Sequence, residues 1–301
     1  MKVKFFVGKG GVGKTSVAAS YAAFLSDQGY KTLIVSLDPA HNLGDILNAK
    51  LSDKVSRIDA NLYAREVDIE KEISHYLDRV AKSLKMTYRY LSVLNMEGYF
   101  KVLRYSPGME EQATLEAIKK HVFSEDYDFI LFDTAPTGHT LRVLSLPSVS
   151  LLWIDELMKL RRVILDRRRM IKKVKGEIDG DLPVREEEDD VMKELKKMRE
   201  EYELLKNRLK SEDTAYIAIL NAEEVPLLET ERLVAFLRNF NMNVERIVVN
   251  KYMPEKLSEQ SKVMELIKDK FANYDIKVIP YMDRGPRGVS ELREVYASCL
   301  R

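Results

Sequence analysis

The sequence predicts a doubly wound α/β fold, a mostly parallel sheet with helices on both faces. Three observations predict it. Short β-branched apolar runs alternate with helical patterns along the chain. Two of these runs end on an acid, at Asp38 and Asp133, and ligands of open parallel sheets gather beyond the carboxyl ends of strands. The first run, Lys2-Val-Lys-Phe-Phe-Val-Gly8, leads into Gly8-Lys-Gly-Gly-Val-Gly-Lys-Thr15 and then a helical stretch from Ser16 to Ser26. Strand, glycine loop and helix in that order make a phosphate-binding P-loop in its expected context, which sharpens the fold class to a P-loop NTPase.

Gly8, Lys9, Gly10, Gly11, Val12, Gly13, Lys14, Thr15 and Ser16 are the candidate nucleotide-binding residues of this loop. Glycines let the backbone turn tightly and bring its N–H groups onto phosphate oxygens. The following helix aims its positive dipole end at the same anion. Lys14 is placed for the β- and γ-phosphates and the Thr15 hydroxyl for Mg²⁺.

The chain has 301 residues, a hydrophobic content of 45% and a formal net charge of +1. That supports a sizeable core and gives no global bias toward nucleic acid or anionic lipid, so no nucleic-acid partner is expected. The single cysteine, Cys299, excludes a disulfide framework, an intrachain Cys-x-x-Cys zinc clip, a thiolate triad for a metalloid and an iron–sulfur cluster. The N-terminal apolar run is too short for a secretory signal, and no stretch approaches the ~20 apolar residues of a membrane helix. A cytoplasmic protein that does not itself span a membrane is expected.

Lys31 to Asp38 is the second buried strand, followed by Pro-Ala-His-Asn-Leu-Gly-Asp45. Asp38 is the candidate for orienting the attacking water and, with Thr15 and Asp133, for holding Mg²⁺, partly through water. Asn42 can offer its amide to phosphate or to a partner chain. Leu62 to Val67 is a third strand, and Asp68 caps a helix to about Ser83. From Leu84 to Tyr105 apolar residues recur at helical spacing, with Met86, Met96 and Met109 in or beside them. A helix from Glu110 to Phe123 precedes the strand Asp128 to Asp133, a Walker-B-type strand. The segment to Arg142 continues it, and Gly138 can bring its N–H to the γ-phosphate and so sense hydrolysis.

Leu151 to Lys175 reads as a long helix with Trp153, Leu157, Leu160, Ile164 and Ile171 on a heptad-like seam. It carries nine Lys/Arg against one Asp between 159 and 175, and the loop 176–190 holds eight acids. Val191, Leu195, Met198, Tyr202, Leu205 and Leu209 form a matching stripe, so 150–210 is expected to be a helical hairpin. One stripe on each helix suffices for self-packing and leaves little apolar surface over. Thr214–Leu220, Val244–Lys251 and Ile276–Pro280 are the remaining strands, with a helix from Glu229 to Asn239 and a last helix from about Val289 to Leu300. Asn250 is a base-reading candidate, and Asn250-Lys-Tyr-Met253 lacks the acid that guanine readers place after Asn-Lys, so adenine is favoured. Pro280 and the loop Tyr281 to Arg287 wall the base pocket. One P-loop and no repeat point to a single domain over 1–301, with 84–109 and 150–210 as a helical subdomain within it.

Lys9-Gly-Gly-Val-Gly-Lys-Thr15, Asp38-Pro-Ala-His-Asn-Leu43 and Asp133-Thr-Ala-Pro-Thr-Gly-His-Thr-Leu-Arg142, in this order, resemble the arsenite-pump (ArsA-type) ATPase family. That family includes the guided-entry ATPase that targets tail-anchored membrane proteins. Pro107–Glu111 and Glu229–Leu233 also resemble family segments. The resemblance implies Mg²⁺-dependent ATP hydrolysis by a homodimer that closes over two nucleotides. It implies that Lys9, with Lys14 and Asp38, is catalytic, reaching across the interface to the partner's nucleotide like an arginine finger. It implies that His41 and His139 are switch structure. It also implies a client face built from 84–109 and the hairpin, with transmembrane segments of tail-anchored clients, or a membrane receptor or transporter, as partners. The alternatives are an energising or regulatory ATPase of an arsenite or anion transporter and, from the wider class that shares the Lys9-Gly-Gly-Val-Gly-Lys-Thr15 loop, a positioning switch like MinD or ParA.

Overall fold

The computed structural model describes residues 1–40, 42–87, 97–175, 182–253, 255 and 258–301. His41, residues 88–96 of the methionine-bearing stretch and residues 176–181 of the acidic loop lie outside them. The order is β1 (Lys2–Gly8), α1 (Lys14–Asp27), β2 (Thr32–Ser36), α2 (Leu43–Leu47), β3 (Ser56–Arg57), β4 (Leu62–Glu66), α3 (Ile69–Thr87), α4 (Glu97–Leu103), α5 (Met109–Val122) and β5 (Phe129–Asp133). Then follow α6 (Thr137–Lys175), a 3₁₀ turn (Glu186–Glu188), α7 (Asp190–Lys210), β6 (Thr214–Asn221), α8 (Glu224–Asn239), β7 (Asn243–Tyr252), α9 (Ser258–Lys270), β8 (Asp275–Pro280) and α10 (Gly288–Val295). Among the described residues the strands form one sheet in the order β3-β4-β2-β5-β1-β6-β7-β8, parallel except for the β3–β4 edge pair.

β1 sits between β5 and β6 and is fully buried from Phe5 to Val7. Phe5 stacks on Phe132 at 4.7 Å and on Tyr216 at 5.2 Å, each its direct partner in register. Phe6 points to the opposite face and meets Tyr21 of α1 edge-on at 5.1 Å. Burying each such ring stabilises by about 1.5–3 kcal/mol, so a one-residue slip of β1 would forfeit both faces at once. Ala18, Ala19, Ala22 and Ala23 are wholly buried, small enough to let α1 lie close on the sheet. The parallel register then brings Gly8, Asp38 and Asp133 to one edge: Asp133 is paired with Phe6 on one side and Ser36 on the other.

Several elements differ from the expectation. α6 begins at Thr137, not Leu151, and passes through Pro147 unbroken. α8 begins at Glu224, because Pro226 lies in the first turn, where its missing N–H costs nothing. α9 and the two-residue β3 are additional.

The chain divides into two compact units. The first comprises Met1–Ile73, Glu110–Val143 and Arg208–Arg301 and holds the sheet. The second comprises Ser74–Met109 and Leu144–Asn207. Its packed cluster is Ile154, Met158 and Met192, with Leu195 and Tyr202 against them. Together with Leu151 and Leu165, the buried α6 residues repeat at helical spacing along one face. The opposite face carries Leu152, Trp153, Leu157, Leu160, Val163 and Met170, all exposed, Trp153 at 68%. The expected seam through Trp153, Leu157, Leu160 and Ile171 is therefore an open face, and α6 is apolar on two sides. Arginines occupy the packed side instead. Arg161 makes a two-pronged bond to the buried Asp189 at 3.0 and 2.6 Å, and Arg162 bonds Glu186 at 3.0 Å. Arg161 and Arg162 thus hold the acidic segment 186–189 to α6. No helix of the described residues is long and apolar enough to cross a membrane.

Candidate nucleotide site

The P-loop joins the buried end of β1 to α1. Its last glycine, Gly13, has φ 94° and ψ 30°, which L side chains adopt at a cost. A Cβ there would also strike the Asn250 side-chain nitrogen, which donates to the Val12 carbonyl at 2.8 Å. Asn250 is buried at the carboxyl end of β7, and its Oδ1 accepts the Lys251 N–H at 2.9 Å. Lys251 Nζ donates to the Gly11 carbonyl at 2.9 Å. The base-reading candidate therefore also braces the loop from behind.

Behind the loop lies a cavity of about 360 Å³, lined by Gly13, Ser16, Asn250, Lys251, Pro280 and Tyr281 among others. Asn250, Pro280 and the start of the following loop, expected around a base, share this one concavity. Its volume is in the range of small-molecule sites.

Lys14 is 5% exposed, with its Nζ 3.3 Å from the Lys9 carbonyl oxygen. Burial pulls its pKa below the usual lysine value, against the opposing charges of Asp133 and Asp38. Asp133 is wholly buried, and burial pushes its carboxyl up to about 7 against the Thr15 hydroxyl and the Lys14 ammonium. Ser36 Oγ donates to Asp133 Oδ2 at 3.3 Å, while Oδ1 has no hydrogen-bond partner among the described residues. A buried carboxylate oxygen left unpaired is costly unless something cationic meets it. Thr15, Asp133 and Asp38 supply only oxygens, the donor set that suits Mg²⁺, so the residues present fit that ion.

Asp38 is half-buried, and its Oδ1 accepts the Ala40 N–H at 3.0 Å in a tight turn. Asn42 occupies the N-terminal cap position of α2 without a side-chain capping bond, leaving its amide exposed. Glu66, buried at the end of β4, anchors α2 by accepting the Gly44 N–H at 2.9 Å. Gly138 stands in the first turn of α6, where N–H groups have no intrahelical partner. His139 lies 3.9 Å from Glu111 and 3.3 Å from the Thr114 hydroxyl. Lys9 pairs within its own chain, with Glu229 of α8 at 3.4 Å, both about a third exposed. Glu229, Glu66 and Lys251 were missed as site residues. They act through contacts between distant parts of the chain, which no spacing reveals.

The family model for anion-transporting ATPases matches residues 1–300. A protein of Aquifex aeolicus named as an arsenical pump-driving ATPase is 32% identical over 98% of this chain and 97% of its own. The ATPase get3 of Aspergillus niger is 32% identical over 96% of this chain and 87% of its own. An ATPase ASNA1 homolog of Entamoeba dispar is 31% identical over 97% of this chain and 91% of its own. With its glycine loop, its two acid-ended strands and this end-to-end match, the chain belongs to the anion-transporting (ArsA) ATPase family.

Proposed function

We propose that this chain is a Mg²⁺-dependent ATPase that works as a nucleotide-switched homodimer and shields the apolar transmembrane segments of tail-anchored clients. The observation that carries the client reading is the exposed apolar face of α6, opposite its packed face. Exposed apolar side chains gathered on one helix face mark an interaction site. The same helix begins with Thr137 and Gly138, so the phosphate-sensing segment and the open face lie on one continuous element. The relatives named get3 and ASNA1 homolog support the reading.

Lys14 places a buried ammonium against the β- and γ-phosphates. Thr15 and Asp133 would hold Mg²⁺, with Asp38 partly through water. When bound, the ion neutralises charge that builds on the phosphate oxygens. Asp38 orients the attacking water, and the N–H groups of the loop and of Gly138 stabilise the terminal phosphate. Asn250 and Pro280 enclose the adenine. Lys9 leaves Glu229 and reaches the nucleotide of a second copy. An exposed ion pair is worth about 0–1 kcal/mol, so this cis pairing is no obstacle to the exchange.

The relative named for an arsenical pump supports a second reading, an ATPase that energises or regulates a transporter. A chain whose one cysteine is Cys299 has no thiolate triad for As(III), so arsenite is not expected to stimulate turnover directly. The test of the chemistry is phosphate release from ATP with and without Mg²⁺. Mg²⁺-dependent release that Asp38→Asn abolishes supports the reading; release that survives this change removes Asp38 from its role.

A further inference from the structure

We propose that Lys251 is a positioning residue that sets how tightly nucleotide is retained. The inference rests on the reading of this site as the ATP site. Lys251 follows the last residue of β7 to pair regularly: the β7–β8 register is interrupted between Val249 and Tyr252. Its backbone lies at φ 56°, a left-handed conformation that side-chain-bearing residues rarely adopt. That conformation accompanies two adjacent clamps on the loop. Lys251 Nζ holds the Gly11 carbonyl at 2.9 Å, and Asn250 Nδ2 holds the Val12 carbonyl at 2.8 Å.

Within one planar trans peptide the C=O and N–H point in opposite directions. Pinning the Gly11 oxygen therefore aims the Val12 N–H the other way, and pinning the Val12 oxygen does the same for Gly13. Those N–H groups belong to the loop that wraps phosphate. Lys251 also lines the cavity, together with Pro280 and Tyr281. Its stem bounds the base while its ammonium fixes the loop, so one side chain serves both ends of the nucleotide. The ammonium adds a charge-assisted bond, the stronger class of hydrogen bond.

The test is the release rate of a fluorescent ADP analogue in Mg²⁺ buffer, by stopped flow, from the full chain. Lys251→Met keeps the stem and removes the ammonium, and its release is expected to be at least tenfold faster than wild type. Lys251→Arg, which keeps a cation at the same reach, is expected to stay within threefold. Lys251→Gly separates positioning from folding. Glycine relaxes the left-handed backbone, so the melting temperature without nucleotide is expected to hold or rise while release accelerates. Release from Lys251→Met within twofold of wild type overturns the proposal. So does a Lys251→Gly protein whose faster release comes with a lower melting temperature. If the wild type binds the analogue and Lys251→Met is unchanged, this inference alone fails. A wild type that binds no ADP overturns the nucleotide reading together with it.

Discussion

Replacing Gly13 with alanine tests whether the loop is shaped by the physics described. The backbone at Gly13, φ 94° and ψ 30°, costs a residue with a Cβ roughly 1–2 kcal/mol. The new methyl also strikes Asn250 Nδ2 and drives it off the Val12 carbonyl. Leaving such buried groups unpaired costs about 1–3 kcal/mol more. The expected loss is therefore about 2–5 kcal/mol, a large share of the ~5–15 kcal/mol that holds a domain folded. For a chain of 301 residues the unfolding entropy is roughly 0.6 kcal/mol/K, so the melting temperature should fall by about 3–8 °C. Gly11→Ala is the internal control. Its φ is also positive, 81°, but a Cβ there meets nothing within 4 Å. Strain alone predicts a fall of about 2–3 °C. Thermal melts followed by circular dichroism, with ATP binding by calorimetry, read both effects. Equal shifts for the two variants, or a Gly13→Ala protein melting within 1 °C of wild type with ATP affinity intact, would refute the steric argument.

Asp38→Asn is expected to cut phosphate release by about 10²–10⁴-fold while ATP binding persists; turnover near the wild-type rate would show that another group orients the water. Lys9→Ala is expected to lose ATP-dependent closure, measured by small-angle scattering, and to keep weak nucleotide binding; unchanged closure would confine Lys9 to its pair with Glu229. His121 predicts a pH dependence. Arg65 Nη1 lies 2.9 Å from His121 Nε2, and since arginine only donates, that nitrogen accepts and the ring is neutral. Burial first, then the charges of Arg65 and Lys120, push its pKa down to about 4. Unfolding restores the ordinary value of 6.5, so the unfolded chain binds the extra proton between those pH values. Stability is full above 6.5 and falls as the pH drops toward 4, by about 2 kcal/mol between pH 7 and pH 5. His121→Gln keeps the acceptor and removes the titration; urea midpoints at the two pH values that separate as widely as in wild type would refute this assignment.

Much of the sheet was legible because each strand is a short apolar run bounded by turns, and a parallel strand buried on both faces has no other way to look. The P-loop and the acids at 38 and 133 were legible because each directly follows a short apolar strand run in the sequence. The face of α6 was not. Two apolar stripes run along that helix, and periodicity alone cannot say which one packs. The packed stripe includes Arg161, which reads as solvent-facing until Asp189, 28 residues away, is seen to neutralise it. Pro147 obscured the start of α6, since a proline reads as a breaker. The braces on the loop were illegible for a similar reason: Asn250 and Val12 are 238 residues apart, and Lys251 and Gly11 are 240 apart. Lys9 was singled out by its place in the loop, yet nothing in the segment Glu229–Leu233, beyond its family resemblance, ties Glu229 to that lysine.

Client capture tests the shielding of transmembrane segments by α6. The full chain would be co-expressed with a C-terminal transmembrane segment, alongside the Asp38→Asn protein, expected to hold ATP, and a variant carrying Leu157→Asp and Leu160→Asp. Both leucines are exposed, so these two changes should leave the fold intact. A soluble complex is expected with the wild type, a more durable one with Asp38→Asn, and none with the double variant. A wild-type protein that hydrolyses ATP yet leaves the segment insoluble would contradict it, and would assign the open face of α6 to a different partner.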